Sequence, residues 1–155
     1  MNTEERIKKQ KQLIETMGQH YEKEGMQPVA GRTLALLMVM DKEEFTFDEI
    51  VEELQISKSS ASVALKLLQV KNIVEYKTHP GDRKRYFRIK RQEPFLLIDD
   101  FKQKLTRDKQ ILEEIIELKA DPNSENSQFM KNLISIMEFF LDHFEKLKEE
   151  FLKKD

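Results

Sequence analysis

Apolar residues first recur at helical spacing from about 3 to 24, where Ile7, Ile14, Met17 and Tyr21 mark a narrow stripe and Gly25 follows as a C-terminal stop. Pro28 suits the first turn of a second helix. Leu34, Leu36, Leu37, Met38, Val39 and Met40 then stand so close together that this helix is predicted to be buried nearly all round. Thr46-Phe47-Asp48-Glu49 has the capping-box pattern, with Phe45 and Ile50 flanking it as a hydrophobic staple. The short helix it opens, carrying Ile50, Val51 and Leu54, ends near Gln55. Ser57 caps a further helix that runs to about Val70 with Ala61, Leu65 and Leu68 inward. Asn72 stands where the chain turns left-handed, a conformation Asn tolerates.

Two β-favouring runs, 73–78 and 83–89, surround His79-Pro80-Gly81-Asp82 and predict a hairpin. A long helix follows from 94 to about 119 with Phe95, Ile98, Phe101, Leu105, Leu112, Ile115 and Leu118. Asp121-Pro122-Asn123-Ser124 breaks it. The last helix carries a seam of Phe129, Leu133, Ile136, Phe140, Phe144, Leu147 and Phe151, and Ile134, Met137, Phe139 and Leu141 lie off that seam. Such a helix is predicted to pack on two sides, against its own subunit and against a partner.

Composition narrows the chemistry. In 155 residues there is no Cys, which excludes disulfides and thiolate metal sites. The polar start Met1-Asn2-Thr3-Glu4-Glu5-Arg6 and the lack of any apolar run near about 18 residues predict a soluble, cytoplasmic protein with no membrane segment. His20, His79 and His143 are scattered, and no phosphate loop or carboxylate pair stands out, so neither an enzyme, nor a metal site, nor a cofactor is expected.

The formal net charge of −2 conceals an asymmetry: from 57 to 91, ten cations face only Glu75 and Asp82, a net of +8 that leaves −10 for the rest. Those cations fall where the element order matters. A short helix, the turn Gln55-Ile56-Ser57, a second helix and then a basic hairpin is the order of a winged helix-turn-helix. Ile56 fills the turn, and Ala61 and Ala64 let the second helix pack closely. That leaves Lys58, Ser59, Ser60, Ser62, Val63 and Lys66 to face base edges and phosphates of double-stranded DNA. An apolar Val63 on that polar face suits a thymine methyl. Arg83, Lys84 and Arg85 give the hairpin a cationic tip able to reach phosphates or a narrow minor groove. Asp82 opposes DNA there, and is expected to hold Arg83 or Arg85 by a charge-assisted bond. A protein-binding adaptor built on the same fold is the alternative, but it has no use for cations concentrated on this helix and hairpin.

From about 25 to 89 the chain resembles the MarR-type winged-helix regulators, specifically the branch of the glycine-betaine-synthesis repressor. The residues that carry this are Gly25, Pro28, Gly31-Arg32, Ile56-Ser57-Lys58 leading into Ser62, Leu65 and Leu68, and Gly81-Asp82-Arg83-Lys84-Arg85-Tyr86. The chain departs at Asn72 and Ser59, where the family commonly or often has Gly. The resemblance implies a mainly α fold with a small β-hairpin wing and long N- and C-terminal dimerisation helices. Its parts are an N-terminal dimerisation helix 1–25, a winged DNA-binding domain 26–92 and a C-terminal dimerisation region 93–155. It further implies a homodimeric repressor on a pseudo-palindromic operator, with Ile14, Leu133, Ile136, Phe140, Phe144 and Leu147 in the dimer seam. A small effector such as choline would be held near Tyr21, Phe95 and Phe101 by cation–π attraction, although aromatic core accounts for the same residues.

Overall fold

A computed structural model of the chain describes residues 1–154 and divides it into two units, Met1–Arg91 and a second from Gln92 onward. In the first unit α1 (Thr3–Lys23) is capped by the Asn2 side chain, which accepts from the Glu5 N–H at 2.8 Å, and Gly25 takes the positive φ of 94° that ends the turn. Pro28 opens α2 (Pro28–Val39), and the Gln27 side chain accepts from the Ala30 N–H. Ala30, Gly31, Thr33, Leu34, Ala35, Leu36 and Leu37 are buried in succession, so α2 is the core helix that its density predicts. Burial stops short of its end: Met38 is 53% exposed, and Met40 lies just past the helix as its C-terminal cap.

β1 (Phe45–Thr46) leads directly into α3 (Phe47–Leu54), α4 spans Lys58–Val70, and β2 (Val74–Lys77) and β3 (Tyr86–Ile89) form the wing. The three strands make one antiparallel sheet in the order β1-β3-β2, with Phe45 opposite Phe87, Thr46 opposite Tyr86 and Tyr76 opposite Phe87. The hairpin was expected from sequence; the third strand was not. Phe45 and Thr46 serve at once as staple, cap and strand, and so tie the start of α3 to the wing. The core joins Ile14 of α1 to Leu34, Leu36 and Leu37 of α2, Ile50 of α3, Leu65 and Leu68 of α4, and Val74 and Phe87 of the sheet.

The second unit is a pair of helices, α5 (Pro94–Glu117) and α6 (Glu125–Leu152). Ser124 caps α6, and buried Ser127 donates to the Asp121 carbonyl at 3.0 Å, closing the connection. Lys102 to Glu145 at 2.5 Å and Lys148 to Asp99 at 3.5 Å link the two helices. Along α6 the half-buried side is Met130, Ile134, Met137, Leu141 and Phe144. The expected main seam is divided: Leu133 and Phe144 are half-buried, whereas Phe129, Ile136, Phe140, Leu147 and Phe151 are exposed in the single chain. Among the described residues no helix is long and apolar enough to cross a membrane.

Candidate nucleic-acid interface

Local sequence builds the helix-turn-helix. The Thr46 hydroxyl accepts from the Glu49 N–H and the Glu49 carboxylate accepts from the Thr46 N–H, both at 3.2 Å, which starts α3 as expected. Gln55 ends it in the left-handed region, at φ 51°, turning the chain sharply toward α4. Ser57 Oγ accepts from the Ser60 N–H at 3.1 Å. Ala61 and Ala64 are fully buried, so α4 turns its small residues inward.

The other side of α4 presents Lys58, Ser59, Ser62, Val63 and Lys66, all exposed, with Val63 at 59%. Ser60 stands apart from them. It is half-buried, and its hydroxyl accepts from Ser57 Oγ at 2.8 Å, because one residue along a helix rotates a side chain by about 100° and carries it off the outer face.

Between α4 and the wing lies a groove of about 390 Å³, lined by Ser62, Leu65 and Gln69 of α4 and by Arg83, Arg85 and Phe87, with Phe47 at its edge. The structure therefore brings Ser62, Arg83 and Arg85 together. Gln69 was missed by the sequence reading, and only its place one turn beyond Leu65 and Lys66 could have suggested it. Lys84 is exposed on the wing but does not line this groove.

The charge count also changes. Arg88 lies opposite Glu75 across the sheet and pairs with it at 2.9 Å, and Arg91 pairs with Glu43, whereas Lys90 donates to the neutral Asn72 side-chain oxygen and keeps its charge. Lys58, Lys66, Lys71, Lys77, Arg83, Lys84 and Arg85 are exposed and form no ion pair among the described residues. The cations left to attract an anion are thus those of α4 and the wing.

Asp82 holds no arginine, contrary to expectation. Its Oδ1 accepts from the Lys84 N–H at 2.9 Å and its Oδ2 from the Tyr86 hydroxyl at 2.5 Å. The Tyr86 hydroxyl first, and then the Lys84 amide, hold the Asp82 carboxyl below its ordinary range, and Asp82 in turn raises the Tyr86 phenol above its own. Arg85 instead lays its guanidinium over the Tyr76 ring, 4.7 Å from the centroid.

The remaining expected site residues fall in both units. Ile14, expected at a dimer seam, is only 5% exposed and belongs to its own chain's core, so that expectation is corrected. Tyr21 is in the first unit, half-buried, and donates to Met38 Sδ at 3.5 Å. Phe95 and Phe101 are in the second. There Phe95, Phe144, Leu147 and Phe151 line an apolar cavity of about 600 Å³ whose lining does not include Phe101. Lys148 already lies over the Phe95 ring at 5.4 Å.

A helix-turn-helix whose second helix is followed by a two-stranded antiparallel wing, with the strand that precedes the first helix paired to it, defines a winged-helix protein. Residues 24–85, from the end of α1 through the wing tip, match the sequence profile of the MarR family. The chain is 30% identical over 79 residues to the HTH-type transcriptional regulator MmpR5 of Mycobacterium tuberculosis, covering 51% of this chain and 48% of that protein. The chain thus spans about half the length of this relative. A crystal structure of a transcriptional regulator shares the fold with a TM-score of 0.70 at 19% identity, over 94% of this chain and 99% of that one. The crystal structure of the S. aureus MepR–DNA complex aligns with a TM-score of 0.42 at 21% identity, over 81% of this chain and 87% of that one.

Proposed function

We propose that the chain is a DNA-binding transcriptional regulator of the cytoplasm, not an enzyme, and that it acts as a repressor by occupying a pseudo-palindromic operator as a homodimer. One observation carries this reading: Ser62 of the second helix and Arg83 and Arg85 of the wing line a single groove, beside cations that form no ion pair among the described residues. Neutralising phosphates with such side chains releases condensed counterions, which supplies affinity, while Ser59, Ser62 and Val63 are placed to meet base edges.

The dimer part of the reading is supported by the exposed apolar face of α6, where Ile136, Phe140 and Leu147 stand with Leu133 and Phe144 at its half-buried margin. A chain with this much exposed apolar surface on one helix gains by covering it with a second copy. Two copies would then present their α4 helices to half-sites about 34 Å apart. The effector part turns on Phe95. A small quaternary ammonium such as choline, which the branch of the glycine-betaine-synthesis repressor suggests, would have to compete with Lys148 for the face of Phe95.

Selection of bound sites from a random DNA pool, followed by gel shift on the selected site at rising salt, tests the proposal. The expected result is an inverted-repeat site whose affinity falls steeply with salt. No shift on any DNA at low salt would overturn it and leave the protein-binding adaptor. Titrating choline into the protein–DNA complex checks the effector separately: unchanged affinity at millimolar choline removes it and leaves DNA binding standing.

A further inference from the structure

Two of the wing's three tip cations are tied to tyrosines, Arg85 through its side chain and Arg83 only through the backbone turn that Asp82 closes. His79-Pro80-Gly81-Asp82 forms a β-turn in which the Asp82 N–H donates to the His79 carbonyl at 3.0 Å and Gly81 takes a φ of 78°, which favours glycine. Asp82 then closes a second turn around Arg83 by accepting from the Lys84 N–H, and its other oxygen is held by the Tyr86 hydroxyl. Tyr86 is itself well anchored. It stands in β3 between Thr46 and Lys77, its ring meets the His79 ring at 4.6 Å, and His79 Nε2 lies 2.8 Å from Glu44 Oε1. Arg85 is held through its side chain, its guanidinium over the Tyr76 ring, which in turn rests against Phe87 at 5.9 Å between centroids.

We propose that Tyr86 and Tyr76 are positioning residues for DNA binding, Tyr86 acting through Asp82 on Arg83 and Tyr76 acting directly on Arg85. This rests on the DNA-binding reading above. The physical reason is the length of loop 78–85: arginines on a free loop would lose their conformational freedom on contact with DNA, whereas arginines fixed beforehand lose little. It also accounts for an acid at a cationic tip, since Asp82 is the piece that joins the Arg83 backbone to an anchored strand.

The test is a pair of double-mutant cycles on the selected DNA site, with the thermal midpoint of each variant measured alongside. Tyr86→Phe keeps the ring and removes only the hydroxyl. It is expected to weaken binding roughly three- to tenfold in the wild-type background and to cause no further loss once Arg83 is Ala. Asp82→Asn, which keeps an acceptor for the Lys84 amide, serves as the second variant should Tyr86→Phe fail to fold. For Arg85, Tyr76→Leu is expected to weaken binding and Tyr76→Phe to restore it, because the stack needs an aromatic face and not a hydroxyl. Additive losses, or a Tyr76→Phe protein as weak as Tyr76→Leu, in a protein whose wild type binds DNA would overturn the positioning roles and leave DNA binding intact. A wild type that binds no DNA overturns the underlying reading as well.

Discussion

Gly31 of α2 faces the carbonyl oxygen of Gly18 in α1: a Cβ at position 31 would stand 3.2 Å from that oxygen and 3.2 Å from Tyr21 Cβ. Neither a helix carbonyl nor a Cβ can move aside without shifting its helix, so the close approach of α1 and α2 depends on the missing Cβ of Gly31. Beside the two glycines Arg32 lies across Gly18 and reaches Glu15 at 3.2 Å and Glu22 at 3.6 Å.

Substituting Gly31 should therefore oppose two effects of known size. Alanine gains about 1 kcal/mol in helix propensity, while overpacking costs about 1–3 kcal/mol, so Gly31→Ala is expected to be mildly destabilising. Gly31→Val adds two methyl groups and loses much of the propensity gain, and should cost about 2 kcal/mol or more. Chemical denaturation of both variants checks the order; a Gly31→Val protein as stable as wild type would mean that the helices do not meet this closely.

What the sequence revealed and what it concealed follow from the range of each interaction. The Thr46–Glu49 box and the Ser57 cap were legible because each is closed within three residues. The two-residue β1 was not, since no periodicity exists over two positions. Glu43, which silences Arg91 from 48 positions away, lies outside the basic stretch and escaped its charge count, whereas Glu75, 13 positions from Arg88, was counted without revealing which cation it holds. Ile14 exposes a different limit: a helical stripe tells that one face is covered, but not whether its own chain or a second copy covers it. On α6 the same ambiguity left the apolar positions undivided between the half-buried side and the exposed one. Asp82 was correctly singled out as anomalous. Its partner was misjudged because the choice between neighbouring arginines and Tyr86 depends on how the loop folds onto β3.

Removing a cation should reveal whether it meets phosphate. Lys66→Ala is expected to weaken specific and non-specific DNA binding alike and to lower the slope of log affinity against log salt by about 1. Arg88→Gln should leave that slope unchanged, because Glu75 already holds the guanidinium. Equal slopes for wild type and Lys66→Ala would remove Lys66 from the contact surface.

Sequence choice should respond to Val63 and much less to Ser60. Val63→Ser exchanges the one apolar side chain among the α4 positions proposed to meet base edges for a hydroxyl, and is expected to alter preference at one base pair by about 1–3 kcal/mol. Ser60→Ala removes only a partner of the Ser57 cap. Repeating the site selection with each variant decides it; an unchanged site after Val63→Ser would show that this residue reads no base.

The Asp82–Tyr86 tie has a defined pH range. Because the Tyr86 hydroxyl and the Lys84 amide lower the Asp82 carboxyl, the tie is complete above the ordinary carboxylate range and is lost only as pH falls through the lowered value. Because Asp82 raises the Tyr86 phenol, the tie persists at ordinary pH and is lost as pH rises through that raised value. The difference in thermal midpoint between wild type and Asp82→Asn should accordingly shrink on acidification from about pH 5 to about pH 2. A difference that stays constant over that range would show that the carboxylate form contributes nothing to the wing.

Phe140 separates folding from assembly. It is 61% exposed in the single chain, so Phe140→Asp buries no charge within its own subunit and should leave helix content and the melting of the first unit unchanged. In the proposed dimer the same carboxylate would be trapped unpaired in an apolar interface, which is costly enough to favour monomers. DNA binding should fall with dimerisation, because joining two half-site contacts raises effective concentration and a lone winged domain forfeits a gain of about 10²–10⁴. Ile14→Asp provides the contrast: its side chain lies in the core of the first unit, and its substitution should unfold that unit rather than merely separate copies. Sedimentation with circular dichroism distinguishes the two outcomes. A Phe140→Asp protein that sediments as wild type does would place the dimer contact somewhere other than this face of α6.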